Sequence, residues 1–274
     1  MAPITPTSEQ VPVLYVIVVY TVVIFALWVI PGVRLLINPL KLFTIGLHEF
    51  CHIVAAVFTG GKVEQVTIDP DRGGATEVKG GKPLCILVAG YFGSTIFGGI
   101  FVLAGFDILM AKIVSFFLGL GLIAPLVLVR NKLTILLTII YEGILVGFWF
   151  IDHGQALRWY CLLVGVMNVF YVVWDIADDK YFRKANDSDA SQFAMLYPRV
   201  EAHCEWYLLC ANFFTAQLKY GKATDKNRIA YAVWAALWIL FEIGVLIGFV
   251  FIGIVAFRLT DQEMYEQAAQ FLPT

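Results

Sequence analysis

The chain has 274 residues, of which 60% are hydrophobic and 15% charged, where a soluble domain has about 45–50% and about 25%. That imbalance excludes an ordinary water-soluble globule and points to lipid as the solvent. Its 19 Lys and Arg against 21 Asp and Glu leave a net charge of −2, which excludes the basic footprint of a nucleic-acid partner.

A helix needs about 20 apolar residues to cross a bilayer. Residues 1–10 are polar and lack a basic n-region, so the apolar run at 11–30, closed by Pro31-Gly32, reads as a retained first span. A short segment at 34–41 precedes the next apolar stretch, 42–58, which carries His48, Glu49 and His52. Residues 61–82 are polar and strand-like. Apolar runs follow at 84–104, about 108–129, 133–151 and 157–173. Residues 186–221 are mixed and read as interfacial and amphipathic. A long span at 230–257 closes the series. The expectation is an all-α polytopic membrane protein of about seven transmembrane helices with a short β-hairpin after the helix that holds the histidines. The loop excess of Lys and Arg favours a cytosolic N-terminus, with Arg34, Lys41, Arg158 and Lys112 assigned to the sparser side. The five cysteines form no CxxC pair and read as small apolar fillers.

Chemistry concentrates in Leu47-His48-Glu49-Phe50-Cys51-His52. On a helix His48 and His52 lie one turn apart on one face, a spacing that lets two imidazoles hold one zinc ion. Glu49 is then placed as general base for a water that the metal acidifies. The chain has four histidines, two of them in this motif, and the motif lies in an apolar run where ionisable groups are expensive and usually functional. The bland reading, a polar cluster packing a bundle without metal, leaves those groups without a partner.

A hydrolytic zinc site takes three protein ligands and keeps one open position. Asp175, at the end of the run Val169 to Trp174, is the expected third ligand. Asn168, on the same face, is placed to hydrogen-bond substrate backbone or an oxyanion. Asp178 and Asp179 read as the helix exit into water. Glu142 and Glu242 sit inside spans and are the other ligand candidates, or else structural hydrogen-bonding groups. Residues 62–68 and 75–78 read as strands joined by Asp69-Pro70-Asp71-Arg72-Gly73-Gly74, which is turn chemistry. A hairpin here offers an edge, with Gly73 and Gly74 as substrate-binding positions, to a peptide that must unwind before it can be cut. Gly90, Ser94 and Gly98 recur every four residues and make a smooth face for close helix approach. His153 and His203 are isolated, and the many aromatic residues read as core and interface anchors.

These residues (HEFCH in an apolar helix, a GGAT hairpin, AGYFGS, and a late Asp at a helix end) resemble the site-two protease family, most closely its compact branch without PDZ domains. The resemblance covers residues 42–99 and, more thinly, 168–175. It implies a zinc-dependent intramembrane protease that cuts transmembrane segments of membrane-anchored proteins in the lipid bilayer, with one zinc ion on His48, His52 and Asp175 and with Glu49 catalytic. Trp174-Asp175-Ile176-Ala177 lacks the Gly that follows, and the prolines that precede, the family's distal aspartate. On this reading residues 1–274 form one integral membrane domain: a metalloprotease core at about 34–185, an interfacial segment at 186–229 and a final transmembrane helix at 230–257. The alternatives are a catalytically inactive relative that binds membrane segments, and a prenyl-protein type membrane metalloprotease using Glu142 or Glu242. Four histidines are too few for a diiron desaturase.

Overall fold

A computed structural model describes residues 5–69, 73–128, 132–178, 188–196 and 225–271. The first helix, α1 (Val11–Val29), stops where Ile30 turns extended and Gly32 takes a positive φ of 83°. A single 3-10 turn, Val33–Ile37, leads into α2 (Asn38–Phe58), which starts earlier than its hydropathy suggests because Pro39 fits a first helical turn that needs no N–H. Then come β1 (Lys62–Asp69), β2 (Gly73–Lys79), α3 (Pro83–Leu103), α4 (Ile108–Leu128) and α5 (Lys132–Phe150). A second 3-10 turn at Ile151–Gly154, in which Asp152 and His153 have φ of 48° and 53°, kinks the chain into α6 (Gln155–Val169). The rest comprises α7 (Tyr171–Ala177), α8 (Asp189–Leu196), α9 (Asp225–Ala256) and α10 (Asp261–Phe271).

Among the described residues, five runs are long and apolar enough to cross a membrane: 11–28, 33–58, 83–103, 132–169 and 230–256. The protein is an integral, multi-pass membrane protein. The count of seven is not reproduced span by span. The run 132–169 joins α5 and α6 across their kink, and of the 21-residue α4 only the apolar stretch 108–123 has its side chains described. Of the segment expected to be interfacial, only α8 and the start of α9 lie within the described residues, and His203 lies outside them.

The core is organised by α3, which packs against α2, α6 and α9. Glycine makes the approach possible. A Cβ at Gly98 would come within 2.8 Å of the Asn168 carbonyl carbon, and one at Gly165 within 2.7 Å of the Val102 nitrogen, so α3 and α6 touch backbone to backbone. The expected smooth face is real, but it serves two partners, because Gly90 and Gly93 face α2 instead.

Two expectations about charge are corrected by this packing. Arg34, Lys41, Lys112 and Arg158 are buried, so they are not loop charges that report orientation. Asp178 is also buried rather than solvated at a helix exit: its carboxylate accepts from Lys41 Nζ at 3.1 Å and from Trp28 Nε1 at 2.9 Å. That pair ties the end of α7 to α1 and α2. The strands pair antiparallel from Lys62↔Lys79 to Asp69↔Gly73, with a bulge between Val63 and Gln65, close to the hairpin read from the turn residues. Cys51, Cys85 and Cys161 are thiols. Cys204 and Cys210 lie outside the described residues.

Candidate metal centre

The spacing of His48 and His52 sends both rings off one face of α2. Their Nε2 atoms are 3.0 Å apart, the ring centroids are 4.6 Å apart at 88°, and both residues are buried. The Nδ1 atom of His52 is 2.7 Å from the Ile86 carbonyl on α3. A carbonyl only accepts, so Nδ1 carries the proton and the Nε2 of a neutral ring keeps its lone pair. The α3 backbone comes this close because residue 90 is glycine: a Cβ there would lie 2.5 Å from His48 Cε1.

A carboxylate meets the two rings from an unexpected direction. Asp189, the first residue of α8, places Oδ2 3.2 Å from each Nε2. Among the described residues no N–H is aimed at that oxygen, although it is buried, so the short distances are not ordinary hydrogen bonds. Three atoms of ligand type therefore converge. Ligand atoms on a tetrahedral zinc ion with bonds of about 2.0 Å are about 3.3 Å apart, and the triangle here has edges of 3.0, 3.2 and 3.2 Å. The donor set fits a divalent cation.

Glu49 completes the cluster. Atoms of His48, Glu49 and His52 that could ligate a metal lie within 4.8 Å of one another. The Glu49 carboxylate has its own hold: Oε2 accepts from the Thr76 hydroxyl at 2.6 Å. The opposite side rests on Gly74, where a Cβ would come within 2.6 Å of the Glu49 Cδ. Thr76 and Gly74 both belong to β2, so the hairpin expected to take substrate also fixes the acid. Together these residues line an open cleft of about 630 Å³, whose wall includes the length of β2 from Gly74 to Val78, within the size range of ligand sites.

The other expected site residues are placed differently. Asp175 lines the cleft, but its Oδ2 accepts from the Tyr91 hydroxyl at 2.6 Å. The same hydroxyl accepts the Ala190 N–H at 3.3 Å, so Asp175 meets the backbone beside Asp189 through Tyr91. Asn168 is fully buried, donates to the Val164 carbonyl at 2.8 Å and packs on Gly98; it is not among the described residues of the cleft wall. Gly73 is buried at the start of β2, with a φ of 81° that glycine adopts without strain. Glu142 is on α5, and Glu242 on α9 accepts from the Val172 N–H at 2.7 Å, so neither meets the imidazoles. His153 lies tilted against the Tyr265 ring, with centroids 5.5 Å apart at 58°.

Asp189, Thr76, Tyr91 and Tyr171 were not singled out by sequence. Tyr171 stacks on His48 with centroids 4.2 Å apart at 27°, and Tyr91 tilts against it at 5.3 Å; Tyr171 lines the cleft, and Tyr91 is buried behind His48. Ser188-Asp189-Ala190 opens a short helix with small residues at 190 and 194 turned inward, the only local sign that this helix packs closely.

The family model described as Peptidase M50B-like matches residues 17–249, a stretch that includes every residue of this cluster. No curated protein and no solved structure matches the chain.

Proposed function

Because the chain belongs to the Peptidase M50B-like family, within the site-two proteases, we propose that this membrane protease is a zinc-dependent metalloendopeptidase acting inside the membrane. It hydrolyses peptide bonds in or near transmembrane segments of membrane-anchored proteins. The observation that carries the reading is the convergence of two imidazole nitrogens and one carboxylate oxygen beside a second, separately held carboxylate in an open cleft.

We assign His48, His52 and Asp189 as the ligands. Two imidazoles and a carboxylate leave a fourth position open, the pattern of hydrolytic zinc sites. Asp175 then acts at one remove, through Tyr91, on the start of α8. A bound zinc ion would polarise the scissile carbonyl and acidify water. Glu49 takes the proton of the attacking water and returns it to the leaving amine. Thr76 holds one carboxylate oxygen, Oε2, and the other, Oε1, lies against Gly74. Gly74 leaves Glu49 room against β2, and Gly73 opens that strand. Asn168, sealed against Gly98, we assign to helix packing.

Helical peptide bonds are closed to attack, so the substrate must be extended when cut. Strand β2 belongs to a two-stranded sheet and runs along the cleft. An unwound substrate segment laid beside it gains main-chain hydrogen bonds in place of those it gave up.

The test is Glu49→Gln in purified protein, with zinc content and cleavage of a membrane-anchored reporter measured together. Zinc retained at the wild-type level with cleavage down by about 10²- to 10⁴-fold is expected. Wild-type cleavage by the variant, or wild-type protein without zinc, refutes the assignment.

A further inference from the structure

The two imidazoles are oriented by different means. His52 has a hydrogen bond from Nδ1 to the Ile86 carbonyl, the usual device for fixing a ligand ring. His48 Nδ1 is buried and has no hydrogen-bond partner among the described residues. What His48 has instead is the face of Tyr171, stacked at 4.2 Å.

Tyr171 sits at a break in the chain. Helix α6 ends at Val169, Phe170 leaves helical geometry at φ −93° and ψ 32°, and α7 begins at Tyr171. The first N–H groups of a helix have no partner within it. At Val172 that need is met from the final span: Glu242 Oε1 accepts the Val172 N–H at 2.7 Å, and the Glu242 side chain is fully buried. A carboxylate is otherwise expensive so deep in a bundle, and here it fixes the residue next to Tyr171. The same face of α9 supports the site again one turn earlier, where Trp238 meets Tyr91 at 5.3 Å and Phe193 of α8 at 5.7 Å.

We infer that Glu242 is a positioning residue for the metal centre: by capping α7 from the final span, it holds the Tyr171 ring on His48 and so replaces the hydrogen bond that His48 lacks. The inference rests on the reading of His48, His52 and Asp189 as zinc ligands. It gives the last span a role at the centre although that span contributes no ligand.

Zinc affinity by chelator competition separates the possibilities, measured with thermal unfolding of the metal-free protein for wild type, Glu242→Gln, Glu242→Leu, Tyr171→Phe and Tyr171→Leu. Gln keeps the acceptor oxygen and Phe keeps the ring, so both retain wild-type affinity. The two Leu variants lose about 10- to 100-fold, the range found when an orienting partner of a ligand is removed. In the cobalt-loaded protein the two Leu variants also shift the visible bands, a change that loss of stability alone does not make. If zinc binds wild type and both Leu variants equally, the inference is overturned and the ligand assignment stands. A loss shared equally by Glu242→Gln and Glu242→Leu also overturns it, because the acceptor is then not what matters. If wild type binds no zinc, the ligand assignment fails and takes the inference with it.

Discussion

Substituting Gly90 by alanine tests the centre without touching a ligand. The added methyl would lie 2.5 Å from His48 Cε1 and as close to the His52 ring. Ordinary carbon contacts are about 3.5–4.0 Å, so the rings or α3 must give way by about 1 Å. Bond lengths at a metal site tolerate about 0.2 Å. His52 cannot retreat freely, because its Nδ1 is tied to Ile86 on the same helix as the new methyl. Overpacking of this kind costs about 1–3 kcal/mol of fold stability, whereas losing one ligand's geometry lowers metal affinity by far more than its share of the fold. The expected result is zinc affinity down by at least about 100-fold, or roughly 2.7 kcal/mol, with only a moderate fall in the unfolding temperature of the metal-free protein. Gly143→Ala is the control, since nothing lies within 4 Å of its added carbon; it keeps wild-type zinc affinity. The assay is zinc retained against a chelator series, in detergent, with unfolding followed in parallel. Equal zinc affinity for Gly90→Ala and wild type refutes the argument that α3 is held against the two imidazoles.

Other outcomes follow from the same geometry. Gly74→Ala pushes on the Glu49 carboxylate rather than on the imidazoles, so cleavage falls by about 10²-fold or more while zinc content is kept; loss of both together contradicts the separation of base and ligands. Asp189→Asn lowers zinc affinity by at least about 10-fold, and Asp175→Asn, which keeps an acceptor for Tyr91, lowers it less; the opposite order in chelator competition returns the ligand role to Asp175. Lys41→Met strands the buried Asp178 beside Trp28 and costs about 3–5 kcal/mol, most of it recovered in Lys41→Met combined with Asp178→Leu; thermal unfolding reads both.

Much of the candidate site was legible because it is local. The HEFCH run needs only helical periodicity to bring His48, Glu49 and His52 together, and the glycines at 73 and 74 announce a turn wherever the hairpin lies. Asp175 illustrates the limit. Sequence places it at the end of an apolar run facing the right way, and it does line the cleft, but its oxygen goes to Tyr91 and the imidazoles receive Asp189. Small residues at 190 and 194 hint that the helix packs closely, but they do not set that aspartate apart from a helix cap. Lys41 and Asp178 misled in the same manner, since a charge near the end of an apolar run looks the same whether it meets water or another charge.

Composition by itself settled that the chain lives in a membrane, and spacing by itself settled that two imidazoles share a helical face, because both follow from the residues' own chemistry and from a fixed rise and turn. Which carboxylate meets those imidazoles, which strand holds Glu49 and which ring lies on His48 were decided only by packing. Those contacts join helices far apart in sequence, and they exist because Gly90, Gly98 and Gly165 let backbones approach and because Glu242 ties α9 to the start of α7.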